Sequence, residues 1–221
     1  KGWNEMITLV ARMGKPLNAT VMVQEQYGLA LNRAGRGADA ERVLRTLLDE
    51  RGPSSETYGI LGRVYKDRWS AALEEKQTAL AAGLLDQAID TYLKGFESDW
   101  RDAYPGVNAA TLMELREPPD PRRKKLLSIV KYAAERRIAS NAADYWDYAT
   151  LLEIAVLSGD RKAADIALKG ALPRVRELWE PASTLGNLRL IFDAQRRRGE
   201  LPPWTENIER ELTKAKEASK G

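Results

Sequence analysis

Residues 20–53 read TVMVQEQYGLALNRAGRGADAERVLRTLLDERGP, and the spacing inside this stretch decides the fold. Gln24, Tyr27, Gly28 and Leu31 recur at intervals of three and four, which places them on one helical face. Ala34-Gly35-Arg36-Gly37 interrupts the pattern as a turn, a second stripe follows at Ala40, Leu44 and Leu47, and Gly52-Pro53 stops it. Gly28 and Ala40 are small enough to let the two helices approach closely. Such a helical hairpin cannot cover its own apolar faces, so further hairpins are expected on either side.

Working outward, the pattern recurs. Ser54-Ser55-Glu56 offers a hydroxyl cap to a helix carrying Tyr58, Leu61, Gly62 and Tyr65, the same order of large and small positions. Its partner stripe comes late, at Leu85, Ala88, Tyr92 and Phe96, so the stretch 69–83 either extends the first helix or inserts a loop. A third unit begins at Tyr104-Pro105-Gly106, carries Asn108, Ala109, Ala110 and Met113, breaks at Glu117-Pro118-Pro119-Asp120-Pro121, and resumes as a basic helix through Leu126, Ile129, Val130 and Ala133. A fourth copies the first, with Tyr148, Leu151, Leu152 and Ala155, the turn Ser158-Gly159-Asp160, then Ala164, Leu168 and Ala171. A fifth runs from Pro181 through Leu185, Leu188, Ile191 and Phe192 to Arg198-Gly199. Pro202-Pro203 opens a last helix whose polar tail, ending in Lys220-Gly221, is expected to cap the stack. The expected fold is all-α: about five stacked antiparallel helical hairpins forming an α-solenoid similar to tetratricopeptide repeats. The expected division is residues 1–19 as an N-terminal helix or linker and 20–221 as the repeat domain.

Composition narrows the function. The 221 residues are 43% hydrophobic, enough for a substantial core, and contain neither cysteine nor histidine. That excludes disulfides and thiolate metal sites and removes the commonest general base and metal ligand. The Asp and Glu residues are scattered over helical faces, with Asp67 beside Lys66 the one pair worth testing as catalytic. The sequence is therefore read as non-enzymatic, without cofactor or metal. Its net charge of +3 is too small to argue for nucleic acid by itself. No apolar stretch is long enough to span a bilayer and no signal peptide precedes the first repeat, so the expectation is a cytoplasmic protein without a membrane partner. The start at Lys1 without an initiator Met suggests a piece of a longer protein.

Gly62-Arg63-Val64-Tyr65-Lys66-Asp67 resembles the tetratricopeptide region that precedes the kinase domain in the apoptosis signal-regulating kinases, a region labelled a TRAF-binding domain. Gly106-Val107-Asn108-Ala109-Ala110, Tyr145-Trp146, and Trp179 followed by Ser183-Thr184-Leu185 resemble the same family, which extends the likeness from about Thr20 to Arg198. The insert after Trp69 and the Pro-rich break depart from the kinase relatives. The resemblance implies a regulatory domain controlling a linked effector. The Ala, Arg and Asp-rich composition further suggests a bacterial relative, of the kind proposed to sense nucleotide-like signals in immunity.

In stacked hairpins the first helix of each pair lines a concave surface, which turns the pattern into a site. With Tyr58, Leu61, Gly62 and Tyr65 packing, Arg63, Lys66 and Asp67 share the adjacent face, and equivalent offsets add Arg33, Asn108, Trp146, Glu153, Arg189 and Asp193. Arg offers a planar fork for phosphate or carboxylate, Lys a mobile charge, Asn a donor and acceptor, and Trp a stacking surface. The leading expectation is a small anionic or nucleotide-like ligand bound by Arg33, Arg63, Lys66, Asp67, Asn108, Trp146 and Arg189. The alternative is a scaffold that binds a peptide or self-associates. Local ion pairs on an exposed helix are the alternative for Arg63, Lys66 and Asp67, a helix cap or backbone bond for Asn108, and packing for Trp146, while Trp179 is expected to pack where one unit meets the next. Arg122-Arg123-Lys124-Lys125 reads as a solvated face or a partner contact, and Arg196-Arg197-Arg198 as cations complementing a helix end.

Overall fold

The computed structural model describes residues 2–140 and 143–217, so Lys1 and the tail ending in Lys220-Gly221 lie outside the described residues. Among the described residues the regular structure is helical throughout: α1 (Trp3–Arg12), α2 (Lys15–Asn18), α3 (Val21–Arg33), α4 (Gly37–Arg51), α5 (Ser55–Glu74), α6 (Thr78–Ser98), α7 (Ala103–Glu114), α8 (Arg122–Ala139), α9 (Tyr145–Leu157), α10 (Arg161–Ala171), α11 (Trp179–Arg197) and α12 (Thr205–Glu217), with one 3-10 turn at Leu172–Arg174. Contacts divide the chain into two compact units, Lys1–Asp99 and Trp100–Gly221. The first holds the hairpins α3/α4 and α5/α6, with α1 packed on α3; the second holds α7/α8, α9/α10 and α11/α12. Within each unit a hairpin also packs its first helix on the first helix of the next, α3 on α5 and α7 on α9 on α11. The all-α architecture of helical hairpins is as expected from the apolar stripes.

Four of the five hairpins reverse direction in the same way. The last turn of α3, α5, α9 and α11 is closed by a backbone bond spanning five residues: Arg36 N to Leu31 O at 2.8 Å, Gln77 N to Ala72 O at 2.8 Å, Asp160 N to Ala155 O at 2.9 Å, and Glu200 N to Gln195 O at 2.9 Å. This motif satisfies carbonyls the helix leaves over and needs a left-handed residue just past the end. Gly35 (φ 78°) and Gly159 (φ 68°) supply it without a steric penalty, whereas α5 uses Lys76 (φ 58°). A non-glycine at that point hides the turn from the sequence. The stretch 69–83 is accordingly a continuation of both helices around a three-residue turn, not an inserted loop.

Glycines also set the distance inside three hairpins. A Cβ on Gly28 would lie 2.8 Å from Leu44 Cδ2, one on Gly62 2.8 Å from the Tyr92 ring, and one on Gly170 would overlap the Tyr148 ring. The large partner thus occupies the volume the glycine vacates, and Leu44 and Tyr92 are fully buried as a result. Helix starts are capped where the sequence offers an oxygen. Ser54 accepts from Thr57 N at 3.3 Å, Asp160 from Ala163 N at 3.0 Å, and Asp144 and Asp147 form a reciprocal capping box at the start of α9.

The third hairpin differs. α7 ends at Glu114 and α8 starts only after the proline-bearing link, where Asp120 accepts from Arg122 N at 3.0 Å and from the Arg122 guanidinium at 2.7 Å. Behind the link, buried Glu114 ion-pairs with Arg123 of α8 and with Arg198 at the end of α11. Burial, and then the neighbouring Arg198 charge, pushes Arg123 below the usual guanidinium range, with the Glu200 carboxylate opposing the shift. No described helix is long and apolar enough to cross a membrane.

Candidate functional site

In the first unit the expected residues sit on α3 and α5. Arg63 Nε donates to Asp67 Oδ1 at 2.8 Å one turn away, and Asn32 Nδ2 donates to Asp67 Oδ2 at 2.7 Å from the neighbouring helix. Asp67 therefore ties α3 to α5 while neutralising Arg63. Lys66 is buried, and Arg33 is exposed in the last turn of α3. Asn32, not its neighbour Arg33, makes the bond across the helices; it lies four residues after Gly28 on the packing stripe, and that spacing marks it in the sequence.

A second polar network in this unit ties α4 to α5. Glu41 accepts from the Tyr65 hydroxyl at 2.7 Å, from Arg45 Nε at 2.9 Å and from Arg68 Nη1 at 2.5 Å. Burial alone raises the Glu41 pKa, but these bonds and charges outweigh it and hold the carboxyl below its ordinary value. Burial and the same carboxylate push Tyr65 up to about 12. Arg45 and Tyr65 help line a cleft of ≈ 200 Å³ with Asp49, Thr91 and Lys94, so its cations face acidic neighbours.

In the second unit Asn108 is buried in α7 and its Nδ2 donates to Tyr104 O at 2.9 Å, the backbone bond that was the alternative reading. Glu153, also buried, accepts from Thr111 at 3.3 Å and Asn187 at 3.1 Å. Arg189 pairs with Glu209 at 2.7 Å on the surface, and Asp193 with Arg196 at 2.6 Å. Trp146 packs on the Tyr145, Ala149 and Ala171 cluster. Trp179 leans on it with ring centroids 5.4 Å apart, yet is 55% exposed, more than inter-repeat packing predicts. Close by in sequence, the Arg174 guanidinium lies 4.5 Å from the Tyr148 ring centroid. One end of α9 thus presents an aromatic surface.

Along the α8 and α9 pair runs a second cleft, of ≈ 470 Å³, lined by Arg123, Lys124, Leu127, Ser128, Lys131, Ile154, Leu157 and Ser158. Lys124, Ser128 and Lys131 occupy one exposed face of α8. Lys124 belongs in the sequence to the basic run Arg122-Arg123-Lys124-Lys125; its spacing with Lys131 about Ser128, two turns on one face, is the signal for a groove wall.

Among the described residues no three His, Cys, Asp or Glu side chains gather as a metal site requires. What the two units offer instead is charged and aromatic surface.

Residues 1–213 match the profile of a family described as MAP3K TRAFs-binding domain. A protein of Caenorhabditis elegans named mitogen-activated protein kinase kinase kinase nsy-1 is 28% identical over 188 residues, which is 78% of this chain and 12% of that relative. The chain spans only that small share of the relative's length. The resemblance carried by Gly62-Arg63-Val64-Tyr65-Lys66-Asp67 and the later motifs is borne out at the level of the family.

Proposed function

The chain belongs to the MAP3K TRAFs-binding domain family, and from that membership we propose that it is a regulatory protein-interaction domain whose partners are of the TRAF type. Control of a kinase domain elsewhere in the same polypeptide, in a cytoplasmic signalling protein, is part of this proposal. The observation that carries it is Trp179: a large ring, 55% exposed and held by Trp146 rather than sunk in the core. Tryptophan is enriched among the few residues that dominate interfaces, because it buries much area for little conformational entropy.

The small-anion reading draws less support. Arg63 is neutralised by Asp67 and Arg189 by Glu209 within their own units, so a ligand would have to displace those carboxylates. A protein surface makes no such demand.

The test is biolayer interferometry of the chain against immobilised TRAF-domain proteins, with Trp179→Ala beside the parent. Saturable binding by the parent, weakened about tenfold or more in the variant at unchanged Tm, is the expected result. Absence of binding to every TRAF protein at concentrations up to about 100 μM, a Kd corresponding to only about −5.5 kcal/mol, would remove the proposal.

A further inference from the structure

We infer that the cleft between α8 and α9 is a docking groove for an acidic segment of a protein partner. The inference rests on the protein-interaction reading above and adds the surface and the chemistry of the partner.

Charge complementarity carries it. None of the residues lining the groove is acidic, while Lys124 and Lys131 stand on its open side with Ser128 between them. Among the described residues Lys131 has a loose contact to Glu135 at 3.8 Å. α8 as a whole bears seven basic side chains and one acidic one. Arg123, at the inner end, is engaged by Glu114 and serves the fold, which leaves the two lysines for a partner. Asp160, the acidic residue just beyond Ser158, is occupied in capping α10 through Ala163 N at 3.0 Å.

The layout suits a peptide better than a compact anion. Lys124 and Lys131 are two helical turns apart, about 10 Å along α8, so they match two separated carboxylates and do not converge on one phosphate. Between them the floor is aliphatic, formed by Leu127, Ile154 and Leu157, with no aromatic ring to stack a base. The hydroxyls of Ser128 and Ser158 at the rim add donors for a peptide backbone or carboxylate. The first unit's cleft forms the contrast: there Asp49 lines the wall and Glu41 holds Arg45, so no comparable field is left over.

The experiment has two arms on the full chain. In the first, TRAF-domain binding is measured for the parent and for the double variant Lys124→Glu, Lys131→Glu. In the second, backbone NMR shifts are followed while adding a fluorescein-free amphipathic peptide with leucines on one face flanked by glutamates, then its lysine counterpart. We expect the double variant to bind at least about tenfold more weakly, because like charges would then face each other across the interface. Shifts should move along α8 and α9 with the glutamate peptide only, and fade at high salt. Both lysines are exposed, so folding should survive; Ser128→Trp, which fills the groove without changing charge, gives the same answer if it does not.

Parent binding that both variants leave intact would overturn the groove and spare the interaction reading. Failure of the parent to bind any TRAF protein would count against that reading, and the peptide arm would then decide the groove alone. Equal shifts with the lysine peptide would overturn the acidic-segment assignment.

Discussion

The hairpin α5/α6 and the hairpin α7/α8 start from the same plan and end with different surfaces. In α5/α6 the chain reverses within three residues around Lys76, Gly62 rests on the Tyr92 ring, and the polar side chains are absorbed by neighbours: Thr57 by Glu25 at 2.6 Å, Tyr65 by Glu41, Arg63 by Asp67. In α7/α8 the prolines prevent a tight reversal, and a buried ion cluster, Glu114 with Arg123 and Arg198, holds the helices instead. The polar side chains of α5 are absorbed by α3, by α4 and by its own next turn. Looser closure leaves a row of cations facing solvent, and that is where the groove lies.

The comparison breaks most visibly at Glu114. Replacing it with alanine removes the carboxylate that Arg123 faces in its largely buried position and leaves Arg198 with Glu200 alone, which should cost about 3–5 kcal/mol. At roughly 2–4 °C per kcal/mol for a chain of this size, Tm should fall by about 10 °C in thermal circular dichroism. Replacing all three members, Glu114→Leu with Arg123→Met and Arg198→Met, should recover most of the loss, since the charge that loses its partner, Glu200, is exposed to solvent. A Tm unchanged by Glu114→Ala would mean that the proline link closes this hairpin without the ion cluster.

Glycine substitutions sharpen the other side. Gly62→Ala puts a Cβ 2.8 Å from a Tyr92 ring that is fully buried and has nowhere to move, so a loss of about 1–3 kcal/mol is expected. Gly83→Ala, in the exposed part of α6 with nothing within 4 Å, should instead stabilise by about 0.5–1 kcal/mol through helix propensity. Equal effects at the two sites in urea melts would show that the α5/α6 contact yields, and that its closeness does not set the hairpin.

These residues also show what was legible in the sequence. The hairpins were, because apolar spacing and Gly or Pro breaks are local signals; Gly35 and Gly159 announce their turns outright. The α5/α6 turn was not, because Lys76 takes the left-handed conformation with no compositional mark. Of the candidate site, Arg63 and Asp67 meet as the ion pair that their four-residue spacing allows, whereas the bond that Asn32 adds was not legible, since it depends on how α3 meets α5. Trp146 reads from the sequence as a stacking residue for a ligand or as packing, and its partnership with Trp179 joins residues from two hairpins. The groove lysines were visible only as charge until α9 supplied the opposite wall.

The smallest expected effect lies at the start of α8 and is read against pH. The Arg122 guanidinium bonded to Asp120 holds that carboxyl below the ordinary value, against the opposing effect of its burial. The unfolded chain therefore binds the proton more readily than the folded one, and the stability Asp120 contributes is complete above the unfolded pKa of about 4 and is lost as pH falls through the lower folded value. Asp120→Asn keeps an oxygen for the Arg122 backbone N–H but cannot carry the charge. It should lower Tm at neutral pH, and the gap to the parent should close in acid as the parent's own carboxyl is protonated. A gap that persists undiminished well below the unfolded pKa would mean that Asp120 acts through hydrogen-bond geometry alone, and the proline-linked hairpin would then be held by charge at Glu114 and by shape at its entry.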